Sequence, residues 1–290
     1  MSQIFNLYLA TDTLAADAEQ LGVTIEDLQS IQVEVVATLV QIAKMAPTAQ
    51  PEWQLQLDYR ITLPLKTLAA QLNWSTWQAS NADFVDYLWE QTCLECFLAG
   101  DLITSAVSIN GAGVNITAPY IEINASPDGR YALYQFADYR SPAALPPTPL
   151  LQADGQTRAS INWTANKKIA RTEQKSASKS VSLPTEPFIQ SLTTNTTTAK
   201  TYHYERSFTL PLSQLSYTKT DINDNIIGSI HPCVILSFST MFGTTALYFA
   251  PKHASPPDFH NRQCWSLFNK QAAMVKPLYN PLSHLTLNLI

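Results

Sequence analysis

The sequence predicts an all-β protein: an antiparallel β-sandwich behind a short helical N-terminal extension. Three observations carry that prediction. Two long runs, from Ile31 and again from Trp53, alternate apolar and polar residues with a period of two. A series of further short segments is rich in β-branched and aromatic residues and bounded by Pro, Asn, Asp or Ser. No long amphipathic helical pattern alternates with them, which argues against a parallel α/β sheet. With 290 residues, 46% of them hydrophobic, the chain can bury a substantial core and reads as one domain over 31–290 behind an extension over 1–30.

The elements follow in order. Thr24-Ile25-Glu26-Asp27 resembles a capping box ahead of Leu28, and Gly22 breaks whatever precedes it, so 1–30 is expected to be helical. Ile31, Val33, Val35, Ala37 and Leu39 then alternate with Gln32, Glu34 and Thr38. The next run is cleaner. Trp53, Leu55, Leu57, Tyr59, Ile61 and Leu63 interleave with Gln54, Gln56, Asp58, Arg60 and Thr62 until Pro64 ends the strand. Strands are expected over Thr92–Ala99, Tyr120–Asn124, Arg130–Phe136, Tyr204–Pro211, Cys233–Ser239, Thr245–Phe249 and Gln263–Phe268. Ser126-Pro127-Asp128-Gly129 signals a hairpin, because Asp-Gly supplies the positive φ of a tight turn. Leu151 to Lys200 carries a basic, Ser-rich stretch at Lys167–Lys179 and a Thr-rich one at Thr193–Thr198, and reads as a long surface insertion at about 151–200.

Composition excludes several functions. Charged residues are 14% of the chain, against roughly 25% in an average soluble domain. With 18 basic and 23 acidic residues the net charge is -5, and no nucleic-acid partner held by phosphate contacts is expected. Eight glycines leave no GxGxxG or Walker sequence. No signal-peptide pattern and no apolar run of about 20 residues occurs, so a cytoplasmic protein without a membrane partner is expected. Four cysteines, Cys93, Cys96, Cys233 and Cys264, are too few for a disulfide scaffold. Cys93 and Cys96 are three apart, so on a strand they face opposite ways and cannot share an ion.

Three stretches carry a resemblance. They are Leu88-Trp89-Glu90-Gln91-Thr92-Cys93-Leu94-Glu95-Cys96-Phe97; Tyr120-Ile121-Glu122-Ile123-Asn124-Ala125-Ser126-Pro127-Asp128-Gly129 running into Tyr134–Arg140; and Leu247–His253 followed by Pro257-Asp258-Phe259-His260-Asn261-Arg262. Taken in that order the set resembles bacterial DOMON-like proteins, relatives of the family nine carbohydrate-binding modules, in outline from about Ile31 to Phe268. The resemblance implies a sandwich of jelly-roll or immunoglobulin-like character that binds a ligand: carbohydrate in the family nine modules, haem in some other DOMON domains. It also implies that a tryptophan and a strand glutamate, matched here by Trp89 and Glu95, hold the sugar.

The residues themselves support a site at those positions. Trp89 and Glu95 are six apart and would share a face on an extended strand. A ring covers the apolar face of a pyranose, and a carboxylate accepts from paired hydroxyls. The alternative is a buried tryptophan with a glutamate paired to an arginine. Glu122 and Asn124 share a face with Tyr120, while Ile121 and Ile123 point the other way. Asn124 suits sugar hydroxyls, and Glu122 is either a ligand contact or an ion-pair partner of Arg130 or Arg140. His253, Asp258, His260 and Arg262 are expected on a loop beside the ligand face, with Arg140 as a further contact. Their spacing matches no zinc motif. Glycoside cleavage would need Glu95 and Glu122 to flank a ligand at roughly 5–9 Å; the resemblance runs to binding modules, so the chain is read as non-catalytic. Two cofactors are weighed and not adopted: haem, for which Met241 lies between His231 and His253, and calcium at Asp221–Asn225, which lacks the glycine and final glutamate of an EF-hand. The expected partner is a saccharide, the alternatives a haem or redox module or a protein-interaction scaffold.

Overall fold

The structure is a computed structural model that describes residues 2–42, 52–100, 119–164, 188–191, 200–215, 227–269 and 273–275. Strand β1 (Gln3–Leu9) is followed by helices α1 (Leu14–Leu21) and α2 (Ile25–Gln29), then by the long strands β2 (Gln32–Ile42) and β3 (Glu52–Leu63). Helix α3 (Lys66–Gln71) follows Pro64 and leads to β4 (Cys93–Ala99), β5 (Tyr120–Ala125) and β6 (Tyr131–Phe136). The chain continues through β7 (Asn162–Trp163), β8 (Phe188–Ser191), β9 (Lys200–Pro211), β10 (Ser229–Thr240), β11 (Gly243–Ala250), β12 (Ser266–Leu267) and β13 (Met274–Val275).

Ten strands form one curled antiparallel sheet, a half-barrel, in the order β6-β5-β4-β10-β11-β1-β2-β3-β9-β7. Its core draws on both halves: Phe5 and Leu7 of β1, Val33 to Leu39 of β2 and Leu55 to Leu63 of β3 meet Leu94, Cys96 and Leu98 of β4, Ile121 and Ile123 of β5, and Leu236 and Phe238 of β10. The β3 alternation is realised residue by residue: Leu55, Leu57, Tyr59, Ile61 and Leu63 are buried while Gln54, Gln56, Asp58 and Thr62 are not. Each such aliphatic side chain contributes about 1.5–3 kcal/mol by leaving water. Tyr59 spans the core, and its hydroxyl donates to the carbonyl of Glu95 at 2.7 Å, tying β3 to β4.

The helical extension needs correction. Thr24 does form its capping box, accepting from Asp27 N at 3.1 Å and donating its own N–H to Asp27 Oδ2 at 3.0 Å, and Gly22 (φ 67°) closes α1. However, the segment 1–30 opens with β1, which pairs with β2 from Gln3 to Leu7 and with β11 at Tyr8 and Leu9. Its alternation is hidden because Ile4 and Tyr8, on the outer face, are apolar yet 59% and 63% exposed.

Two further expectations change. Over Gln263–Phe268 the Asn261 side chain accepts from Gln263 N, starting a 3-10 turn at Arg262–Cys264, and only Ser266–Leu267 pairs with β10. The region 151–200 is not simply a surface insertion where it is described. Ile161 is buried, Trp163 lies edge-on to Phe208 at 5.6 Å, and β7 and β8 both pair with β9. The Lys167–Lys179 and Thr193–Thr198 stretches lie outside the described residues. No helix among the described residues is long and apolar enough to cross a membrane.

Candidate functional site

Alternation on β4 and β5 sorts side chains between two layers. Leu94, Cys96, Leu98, Ile121 and Ile123 enter the main core; Cys93, Phe97 and Tyr120 join a second cluster on the opposite face with Tyr134, Phe136, Cys233, Ile235 and Phe259. Cys93 and Cys96 therefore sit on opposite faces, both buried as free thiols. In the β4–β5 register Glu95 is opposite Asn124 and Phe97 opposite Glu122, so the two glutamates are diagonal neighbours on the second face.

Two loops close over that face. After β6 the chain doubles back: Ala137 N donates to Ser141 O at 2.9 Å and Gln135 N to Thr148 O at 2.9 Å, so the proline-rich turn between is anchored at both ends. The second loop follows β11 and carries Pro257 to His260. Between loops and sheet lies a cavity of about 410 Å³, within the range of small-molecule sites. Trp89, Phe97, Phe136, Ile235, Tyr248 and Phe259 supply its apolar walls, with Pro142–Leu145, Pro147 and Pro257; Glu95, Glu122, Arg140, Asp258 and His260 supply its polar groups.

A relay of hydrogen bonds holds the polar wall. Arg140 is in the left-handed region (φ 46°), an unfavourable conformation for a side-chain-bearing residue, and its backbone N–H donates to Tyr120 Oη at 3.0 Å. Its guanidinium donates to Asp258 Oδ1 at 2.9 Å, Tyr139 Oη donates to Asp258 Oδ2 at 2.7 Å, and His260 N donates to Asp258 Oδ1 at 3.1 Å. Tyr120 Oη, which accepts from Arg140 N, also shares a hydrogen bond with His260 Nδ1, 2.8 Å away. The other ring nitrogen, Nε2, lies 3.8 Å from Glu122 Oε2.

Burial governs protonation here. Desolvation pushes the Glu95 carboxyl well above the ordinary range, the neighbouring Glu122 pushes it further, and a hydrogen bond from the Cys93 thiol opposes weakly. Glu122 is also raised by burial, against the pull of Asn124 and Arg140. His260 is pushed down to about 4 by burial and by Arg140, so beside Glu122 it is a neutral imidazole at neutral pH and not an ion-pair partner. For Asp258, burial raises the pKa, but the Tyr139 and Arg140 hydrogen bonds outweigh it and the group is held below its usual value.

Six of the expected residues meet at the cavity: Trp89, Glu95, Glu122, Arg140, Asp258 and His260. The route for Trp89 differs from the strand argument. It belongs to a 3-10 turn, Leu88–Glu90, that precedes β4, and it reaches the rim half-buried against Tyr87 and Tyr134. Glu122 pairs with neither proposed arginine, since Arg130 bonds Asp128 at 2.8 Å and Arg140 bonds Asp258. Three expected residues do not line the cavity. Asn124 is fully buried and donates to Glu122 Oε1 at 2.7 Å, which makes it a positioning residue. His253 Nε2 bonds the carbonyl of Tyr8 at 2.8 Å, and Arg262 lies over the Trp265 ring at 5.3 Å.

Phe97 and Phe136 were legible by alternation and missed; Tyr248 and Ile235 arrive through strand order, which leaves no local signal. For haem, Met241 is 91% exposed in the β10–β11 turn while His231 is sealed in the second face and His253 is committed to β1, so these residues do not form an axial pair. Among the described residues no group of three or more His, Cys, Asp or Glu is placed to hold a metal ion, and Asp221–Asn225 lies outside them. Comparison with known proteins finds no matching family model, curated protein or solved structure.

Proposed function

We propose that this chain is a non-catalytic binding module of DOMON-like, jelly-roll or immunoglobulin-like sandwich character, and that it binds a saccharide in the cavity over β4 and β5. The observation that carries the reading is a half-buried indole, Trp89, on the rim of a cavity that two buried carboxyls, Glu95 and Glu122, also line. A sugar ring stacks on the indole through its C–H face, and its hydroxyls exchange hydrogen bonds with the carboxyl groups. Affinity is expected to be modest, since a few hydrogen bonds and one stacked ring must first displace water.

Trp89→Ala tests this. On a glycan array and by calorimetry, the wild type should bind at least one sugar and the variant should bind it at least tenfold more weakly, about 1.4 kcal/mol. Its melting temperature should stay within a few degrees, because the indole is only half-buried. A wild type that binds no glycan, or a variant that collapses on mild heating, would make Trp89 a structural residue and remove the site.

A further inference from the structure

The floor of the cavity carries two carboxyls, and among the described residues no Lys or Arg forms an ion pair with either. Glu95 and Glu122 are 2% and 4% exposed, and both line the space. Glu95 Oε1 has no hydrogen-bond partner among the described residues, whereas Glu122 Oε1 accepts from Asn124. The cations nearby do not serve. Arg140 acts on Glu122 only through space and is ion-paired to Asp258 at 2.9 Å, and the His260 ring, hydrogen-bonded to Tyr120 Oη through Nδ1, stays neutral. Around this floor stand Trp89, Phe97, Phe136, Tyr248 and Phe259, whose ring faces attract cations and whose bulk excludes water.

We propose that the occupant of this cavity carries a protonated amine, and, resting on the saccharide reading above, that it is an amino sugar whose ammonium group sits between Glu95 and Glu122. An ammonium has three donors and no acceptor, which matches an orphaned carboxyl oxygen beside a second acid better than a neutral hydroxyl does. N-acetylation would remove the charge and substitute an amide that needs an acceptor and a donor in fixed places. Because burial holds the two glutamates toward their protonated forms, arrival of a cation should drive them to ionise. Binding should therefore release protons to the buffer.

The test is calorimetry at pH 7 with glucosamine and the chitosan disaccharide set against glucose, N-acetylglucosamine and diacetylchitobiose, repeated in two buffers of different ionisation heat. The amine-bearing sugars should bind at least tenfold tighter than their N-acetylated partners, with net proton release. Glu95→Gln should reduce that preference to threefold or less while thermal melting shows a folded protein; Glu122→Gln is the second reading should the first variant not fold. If neutral and N-acetylated sugars bind as well as the amines, the inference fails and the saccharide reading stands. If methylammonium binds and no sugar does, the ammonium site stands and the saccharide reading fails. If nothing in the set binds, both are overturned.

Discussion

A buried acid is stable only as long as it keeps its proton or finds a counter-charge. Glu122 meets the first condition through burial, with Asn124, Arg140 and the neutral His260 as its polar neighbours and Glu95 on the adjacent strand. Its folded-state pKa lies above the ordinary value near 4.5, so its contribution to stability is fully present below that pH and declines as pH rises. Glu122→Gln, close in shape and without charge, should therefore become more stable relative to the wild type between pH 5 and pH 8, by a few degrees of melting temperature. His231 and His260, pushed down to about 3 and 4 by burial, are neutral in the folded state over that range, so their contribution cancels in the comparison. A difference that stays flat with pH would mean Glu122 is ionised in the folded protein throughout.

At the scale of elements, the β5–β6 hairpin sets the site, because it holds Glu122 and Phe136 on the face that the loops cover. Its turn is closed by Ser126 N donating to Arg130 O at 2.8 Å and Gly129 N to Ser126 O at 3.0 Å, with Gly129 at φ 116°. A Cβ there would meet Gln78 O at 3.0 Å in a backbone conformation that L side chains rarely adopt. Gly129→Ala should cost about 1–3 kcal/mol, read as a lower denaturant midpoint with an unchanged slope; a change within 0.5 kcal/mol would show that the turn relaxes freely. This hairpin was legible because its signal is local: Asp-Gly between two alternating runs. The 3-10 turn that carries Trp89 was not, since its place at the rim depends on contacts with Tyr87 and Tyr134 and not on its distance along the chain from Glu95.

For the molecule as a whole, β1 is the seam. It stands between β11 and β2 in the sheet order, and its Phe5 and Leu7 side chains enter the shared core. Removing residues 1–10 should abolish the cooperative melting transition, because it takes away two core side chains and the hydrogen-bonded link between halves; a truncated chain that melts within a few degrees of the intact one would show the halves hold together through side-chain packing alone. The sequence by itself determined the all-β class, the inward and outward faces of β3, the division of β5 side chains between two faces, the Thr24 cap and the Asp-Gly turn, since each rests on residues near one another along the chain; that both faces of β5 are buried came from the tertiary structure. Only the tertiary structure decided that Gln3–Leu9 is a central strand, that Tyr248 shares a cavity with Glu95, and that Asn124, His253 and Arg262 stand aside from it. Those outcomes depend on strand order and loop closure, where segments far apart in sequence compete for the same partners, and no local periodicity records which of them wins.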